Sequence, residues 1–234
     1  TMDCQMQGTV LIDGYVYGLA LVGTNLYAAG SFTTAGGTSA LNVAMWDTLT
    51  STWSPLGGGI DGYASACAAI GSDLYVGGLF MPVGGTEEMG IAKWDGQGWS
   101  ALGSGPEGDV FCITASGSVL YVGGEFDAAG GNPANHIAVW DGDNWSTFGS
   151  GSNNVVNGIA VVGGDVYLGG GFSTAGGKPS RYFAKYFAPL TVTSPNGGEI
   201  WEAGSGQTIT WTGTAVAVSI EYSKDNGATW TTLV

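Results

Sequence analysis

The sequence predicts an all-β protein: a β-propeller of about four four-stranded blades over residues 1–188, followed by a smaller β module over residues 189–234. Three observations predict it. Tyr27, Tyr75, Tyr121 and Tyr167 recur at intervals of 48, 46 and 46 residues, the length of a propeller blade. Each is followed 19 residues later by an aromatic, Trp46, Trp94, Trp140 and Tyr186, within one pattern, Leu/Val-Tyr-x-x-Gly-x-Phe-x-x-(Ala/Val)-Gly-Gly, then five variable residues. Forty-four glycines, 10% charged residues and no long stretch of helical apolar spacing describe short strands joined by tight turns.

The elements of one blade follow in order. Residues 155–162, Val-Val-Asn-Gly-Ile-Ala-Val-Val, are near-continuously apolar, as an innermost strand covered on both faces must be. Gly163-Gly164-Asp165 then turns the chain into a second strand, Val166 to Gly170, where glycines let another backbone approach closely. After Phe126 of the preceding unit, Ala129-Gly130-Gly131 leads into a loop, and Ile137-Ala138-Val139-Trp140 forms a third strand. Asp141-Gly142-Asp143-Asn144 is a tight connection to Trp145: Asp bonds backbone N–H groups two residues on, and Gly accepts positive φ. Trp46, Trp94 and Trp140 are expected to pack between blades, with Trp53, Trp99 and Trp145 across the hairpin. The outer-strand tryptophans also suit sugar rings as platforms, but a residue present in every complete blade is explained first by what every blade needs.

Three cysteines are an odd number. Cys67 and Cys112 fall one register position apart in the repeat, so they point to opposite faces of their strands and read as buried thiols rather than a disulfide; Cys4 carries no signal.

The repeat, ending in apolar-Ala-x-Trp-Asp-Gly and Trp-Ser-x-(Leu/Phe)-Gly, resembles the kelch-like propeller repeats of bacterial secreted proteins and is similar to those of the fungal cortical cell-polarity marker family. The resemblance covers residues 15 to about 188. It implies a propeller in an extracellular or cell-surface protein and supplies no catalytic motif.

Three units have all four strands; the fourth stops after Phe187 with no Trp-Asp-Gly. Ile12-Asp13-Gly14-Tyr15 matches Ile60-Asp61-Gly62-Tyr63, so a strand around Gly8 to Ile12 is expected to complete the last blade, although Gln5 and Gly8 stand where Trp and Leu belong. A closed four-bladed ring is favoured because open blade edges expose pairing sites; a portion of a larger ring is the alternative. Residues 189–234, with Ser194-Pro195-Asn196-Gly197-Gly198-Glu199-Ile200-Trp201 and an Asn226-Gly227 turn between alternating runs, resemble the Ig-like β-sandwich modules of bacterial secreted and fungal wall-anchored proteins. Such sandwiches need about 100 residues. The module is therefore expected to be incomplete, and the chain to be a fragment or to take strands from another polypeptide.

Nineteen acids against five bases give a net charge of −14, which disfavours DNA or RNA as a partner. No run of eighteen apolar residues suggests a transmembrane segment, and Thr1-Met2-Asp3-Cys4 lacks the pattern of a secretory leader. The binding face is expected where residues diverge at constant loop length, in segments 38–42, 86–90, 132–136 and 178–182. Glu87, Glu88, His136, Lys178 and Arg181 stand there, and Glu107, Asp109, Asn153 and Asn154 of the inter-blade loops would join the same face. His136 has no nucleophile motif beside it, no His/Cys cluster has metal-ligand spacing, and no two carboxylates are placed across a cleft, so no catalytic residue and no cofactor are assigned; calcium in the Asp/Asn-rich loops is a minor alternative. The expected function is non-enzymatic extracellular binding or adhesion, to glycans or surface proteins. A structural subunit of an extracellular assembly, self-associating through open β-edges by strand addition, is the alternative, and a secreted glycan-active enzyme a distant third.

Overall fold

The computed structural model describes residues 11–80, 90–187, 191–194, 208–212, 221–222, 228–229 and 231–232. Among them there is no helix, and so none long and apolar enough to cross a membrane. The protein is all-β, built from antiparallel sheets whose strands follow one another in chain order. The first sheet contains Tyr15–Val22, Asn25–Ser31, Val43–Asp47 and Thr52–Pro55. The second contains Gly62–Ile70, Asp73–Phe80, Ile91–Trp94 and Trp99–Ser100; the third, Pro106–Ser116, Val119–Ala129, Ile137–Trp140 and Trp145–Thr147. A fourth has three strands, Val156–Val162, Asp165–Gly170 and Phe183–Tyr186. The fourfold repeat of the sequence is thus a fourfold repeat of sheets.

The chain divides into two compact units, Thr1–Ala160 with Tyr167–Ala184, and Val161–Val166 with Lys185–Val234. In the second unit, Thr191–Ser194 pairs with Thr210–Thr212, and Glu221–Tyr222 with Thr231–Thr232. Much of the expected Ig-like module, including the run 195–201 and the Asn226-Gly227 turn, lies outside the described residues, as do Gly8 and Cys4.

Within a sheet the first two strands carry the same irregularity at the same place. A bulge sits between Val16 and Gly18, between Ala64 and Ala66, and between Val110 and Cys112. Glycine is required three residues after each tyrosine: a Cβ on Gly30, Gly78 or Gly124 would stand 1.9, 1.8 or 1.9 Å from a carbonyl oxygen of the first strand, and one on Gly170 2.1 Å from that of Val155 just before it. Cys67 lies opposite Val76 and Cys112 opposite Gly123, one register step apart as the spacing predicts, and both are free.

The tryptophans pair across the hairpin between third and outer strands. Trp46–Trp53, Trp94–Trp99 and Trp140–Trp145 all have ring centroids 5.3 Å apart, tilted by 56°, 55° and 48°. Such tilted aromatic pairs add about 0.5–1.5 kcal/mol beyond their burial. Each pair in the second and third sheets also covers the connection leading in from the previous sheet: Trp94 and Trp99 lie over Gly57, and Trp140 and Trp145 over Gly103. The Trp99 indole N–H donates to the Leu56 carbonyl at 3.1 Å, and that of Trp145 to the Leu102 carbonyl. Trp53 Nε1 is buried with no such partner; the carbonyl at the corresponding register belongs to Gly8, outside the described residues.

Beyond Phe32, Phe126 and Phe172, the Gly-Gly pair makes a second, smaller hairpin. Thr34–Ala35 pairs with Thr38–Ser39, Ala128 and Ala129 with Pro133 and Asn132, and Thr174–Ala175 with Lys178–Pro179. Both glycines are left-handed in each case, with φ of 58° and 78° at Gly36-Gly37, 61° and 74° at Gly130-Gly131, and 59° and 71° at Gly176-Gly177, as a two-residue type I′ turn demands. Segments read from sequence as variable loops therefore begin as strands.

Two stability outcomes follow from this packing. Trp140→Ala removes a side chain 7% exposed and should cost about 3–5 kcal/mol in urea unfolding; a loss near zero would show that the pair bears no load. Gly130→Ala should destabilise more than Gly131→Ala. Both residues have positive φ, but only at Gly130 would the new Cβ stand 2.6 Å from Trp145, whereas at Gly131 nothing lies within 4 Å.

Candidate ligand-binding face

Each described small hairpin returns to the sheet through a residue fixed in the left-handed region, and the strand Ile91–Trp94 is entered through one as well. Asn42, Gly90, His136 and Tyr182 have φ of 62°, 80°, 63° and 65°. The N–H groups of Asn42, His136 and Tyr182 donate to Phe32, Phe126 and Phe172 carbonyls, and the carbonyls of all four accept from Gly30, Gly78, Gly124 and Gly170. Glycine suits that conformation, and asparagine and histidine adopt it more readily than most residues; tyrosine is held there by the surrounding ladder. The Asn42 side chain is consumed by the fold, its Oδ1 accepting from Phe32 N at 2.8 Å and its Nδ2 donating to the Ile60 carbonyl at 2.8 Å. His136 occupies the same position half-buried, with Nδ1 covered and without a hydrogen-bond partner among the described residues. Tyr182 projects outward, 67% exposed.

Lys178 and Arg181 lie on the return arm of the small hairpin in the fourth unit and just beyond it, both exposed and neither in an ion pair among the described residues. The other described cations are committed: Lys93 to Asp73 at 2.9 Å and Lys185 to Asp165 at 2.7 Å. Tyr182 follows Arg181 directly, so two cations and an aromatic ring share one short, braced segment.

The remaining expected residues are placed differently. Glu87 and Glu88 lie outside the described residues. Glu107 and Asp109 sit in the strand Pro106–Ser116 and not in a connecting loop; Asp109 faces Glu125 across the ladder. Asn153 is a clamp: its Oδ1 accepts from Ser173 N at 2.9 Å and Thr174 N at 2.8 Å, while Nδ2 donates to Ser173 Oγ at 3.0 Å. Asn154 Oδ1 accepts from Val155 N at 2.7 Å.

The clamp has a twin. Asp13, also fourteen residues before a repeat tyrosine, accepts from Thr33 N at 2.8 Å, Thr34 N at 2.7 Å and the Thr33 hydroxyl. The sequence carries the signal as Asp or Asn at that position with Thr or Ser twenty residues later. In the third unit the corresponding pair is Glu107 and Asp127, two acids that cannot form it; there the ladder itself extends to Pro106 and Ala129.

Most described turn carboxylates are likewise spent on backbone. Asp47, Asp95 and Asp141 accept N–H groups two and three residues on, which lowers each pKa below the ordinary carboxylate range. Burial pushes the Cys67 and Cys112 thiols up to about 12, so neither is a nucleophile near neutral pH; the Cys112 thiol points at the Val156 carbonyl at 3.7 Å. No cluster of three or more His, Cys, Asp or Glu that could hold a metal occurs among the described residues. An open groove of about 530 Å³ lies beside the first small hairpin, lined by Leu11, Ile12, Asp13, Thr34, Gly36 and Gly37. Its one charged group, Asp13, is already saturated by hydrogen bonds.

No family model matches the sequence, and no curated protein matches it. Among solved structures, the crystal structure of the computationally designed Ika4 protein is similar, with a TM-score of 0.51 at 14% identity over 79% of this chain and 100% of that one. YCF48 bound to D1 peptide gives a TM-score of 0.40 at 14% identity over 96% of this chain and 69% of that one. The likeness to Ika4 concerns the fold alone.

The Asp13 clamp sets a pH dependence. The Thr33 hydroxyl, then the Thr34 and Thr33 N–H groups, hold the Asp13 pKa at about 2, below its ordinary 3.8. Its stabilisation is therefore complete above the ordinary value and is lost as pH falls through the folded one. Asp13→Asn, which copies Asn153, should show a smaller drop in melting temperature between pH 4 and pH 2 than the parent; parallel curves would show that the clamp does not titrate.

Proposed function

We propose that the four sheets are blades of a kelch-like β-propeller scaffold and that the protein is a non-enzymatic, extracellular binding protein. Its ligand face is centred on Lys178, Arg181 and Tyr182, and its ligand is a glycan or a surface protein. The observation that carries this reading is the exposed, unpaired cation pair beside an outward aromatic on a braced hairpin, in a chain whose net charge is −14. Isolated cations on so acidic a protein attract anionic groups locally while the rest of the surface repels them, which favours a ligand that places its acidic groups at this one spot. An exposed tyrosine supplies a flat apolar face at little entropic cost. The non-enzymatic reading is supported by the commitment of Asp13, Asp47, Asp95 and Asp141 to backbone and of the two thiols to burial, which leaves these groups unsuited to acid-base or nucleophilic work.

A second reading is a structural subunit of an extracellular assembly joined by strand addition. It is favoured by the fourth sheet, which has three strands among the described residues where the others have four or, counting the return arm Asn132–Pro133, five.

A glycan array probed with the parent, Lys178→Ala, Arg181→Ala and His136→Ala separates these. Binding should fall at least tenfold in the first two variants and weaken with salt, while His136→Ala, on a different hairpin, should bind as the parent does. Unchanged binding in Lys178→Ala and Arg181→Ala would remove the small hairpin of the fourth unit from the site.

A further inference from the structure

Successive sheets meet through one contact that recurs along the chain. The residue two positions after the repeat tyrosine is a glycine in the second and third sheets, and the first strand of the next sheet fills the space above it. A Cβ on Gly77 would stand 2.4 Å from Val110 Cγ1 and 2.8 Å from Ile113 Cδ1; one on Gly123 would stand 2.7 Å from Val156 Cγ1 and 3.1 Å from Ile159 Cδ1. The first sheet varies this in a compensating way: its residue is Ala29, and the strand that shares its buried cluster carries the smaller Ala64 and Cys67. Glycine sockets thus take a Val with an Ile, and the alanine takes an Ala with a Cys.

Both halves of this contact are unfilled at the two ends of the series. On the first sheet, Val16 and Leu19 occupy the register of Val110 with Ile113 and of Val156 with Ile159, yet they are 41% and 60% exposed, whereas Val110, Val156 and Ile113 are 0%, 0% and 8% exposed. On the fourth sheet, Gly169 has the socket register, and among the described residues only the Tyr182 carbonyl, at 3.9 Å, comes within 4 Å of a Cβ there. Phe183 beside it is 61% exposed, although its counterparts Val43, Ile91 and Ile137 are buried. Among the described residues, then, nothing fills either face.

We infer that a second copy of this chain fills them: the strand Tyr15–Val22 of one copy lays Val16 and Leu19 into the Gly169 socket of the next. The size rule selects this partner, since a glycine socket takes a β-branched residue with a larger aliphatic one, and Val16 with Leu19 is such a pair left open in the chain. The contact is a face-to-face packing of sheets that continues the internal series, distinct from pairing at a strand edge. It is heterologous, one knob face and one socket per copy, and so builds a closed ring or an open chain of copies. The interface is apolar while each copy carries −14, so salt should tighten it by screening the mutual repulsion.

Light scattering and sedimentation velocity on the 234-residue protein test this, with Leu19→Asp spoiling the knob face and Gly169→Phe spoiling the socket. The parent should run at a multiple of 23.7 kDa at high micromolar concentration, more so in salt, and each variant should run as a monomer with the parent's circular dichroism. Mixing the two variants should restore a one-to-one pair, because the intact strand of the Gly169→Phe protein meets the intact socket of the Leu19→Asp protein. Leu21→Asp, on the same exposed face, repeats the test if Leu19→Asp misfolds. A monomeric parent, or variants that keep the parent's mass, would overturn the inference, and a mixture that stays monomeric would overturn the head-to-tail arrangement. A monomeric parent in which Leu19→Asp speeds amide exchange in the strand Tyr15–Val22 would make the chain's own fourth sheet the occupant, and so also overturn it.

Discussion

Everything in the repeating part of the molecule depends on how closely two backbones can pass at the glycine three residues after each tyrosine. Any side chain there would strike a carbonyl in or just before the first strand at about 2 Å, closer than a van der Waals contact allows. With that approach secured, the bulge in the first strand turns its apolar residues toward the neighbouring sheet, and the glycine N–H meets the carbonyl of the left-handed residue that ends the small hairpin. Strand order, hairpin placement and the packing of sheet on sheet all follow from one steric requirement met four times.

The features legible in the sequence are those that recur at fixed spacing: among the described residues the tyrosines, the Gly-Gly turns, the Trp pairs and the Asp-led connections emerged as sheets, turns and tilted ring pairs at their expected places. What escaped has a physical reason in each case. The small hairpins were hidden because Thr38, Asn132 and Lys178 share no alternation of polar and apolar residues; two glycines in a type I′ turn shape them, and the arms are only two residues long. The left-handed position was hidden because four different residues fill it, and Tyr182 belongs to a bulky type that seldom adopts that conformation unaided. Asn153 read as a surface loop residue because its partners, Ser173 and Thr174, lie twenty residues away and meet it only once the hairpin has formed. Glu107 and Asp109 were displaced from loop to strand by the failure of that clamp in the third unit, where the ladder supplies the closure instead.

An acidic chain must do something with its acids, and this one uses several as fixed acceptors for backbone N–H groups. Asp47, Asp95 and Asp141 each tie a turn, and Asp13 ties a hairpin to the segment leading into its sheet. A carboxylate so occupied contributes little to recognition, while Asp61, Glu107, Glu125, Asp127 and Asp143 stay exposed and keep the described surface acidic. Lys178 and Arg181 stand out for that reason.

The two ion pairs occupy the same register, Asp73 with Lys93 in the second sheet and Asp165 with Lys185 in the fourth, while the first and third sheets place Asn25 with Met45 and Val119 with Val139 there. Near-identical repeats risk trading strands with their neighbours as they fold. If the second and third sheets exchanged third strands, Asp73 would stand at the register of Val139 and Val119 at that of Lys93, leaving each charge without its partner. The alternation of charged and uncharged rungs therefore sets each hairpin apart from the neighbours on either side of it.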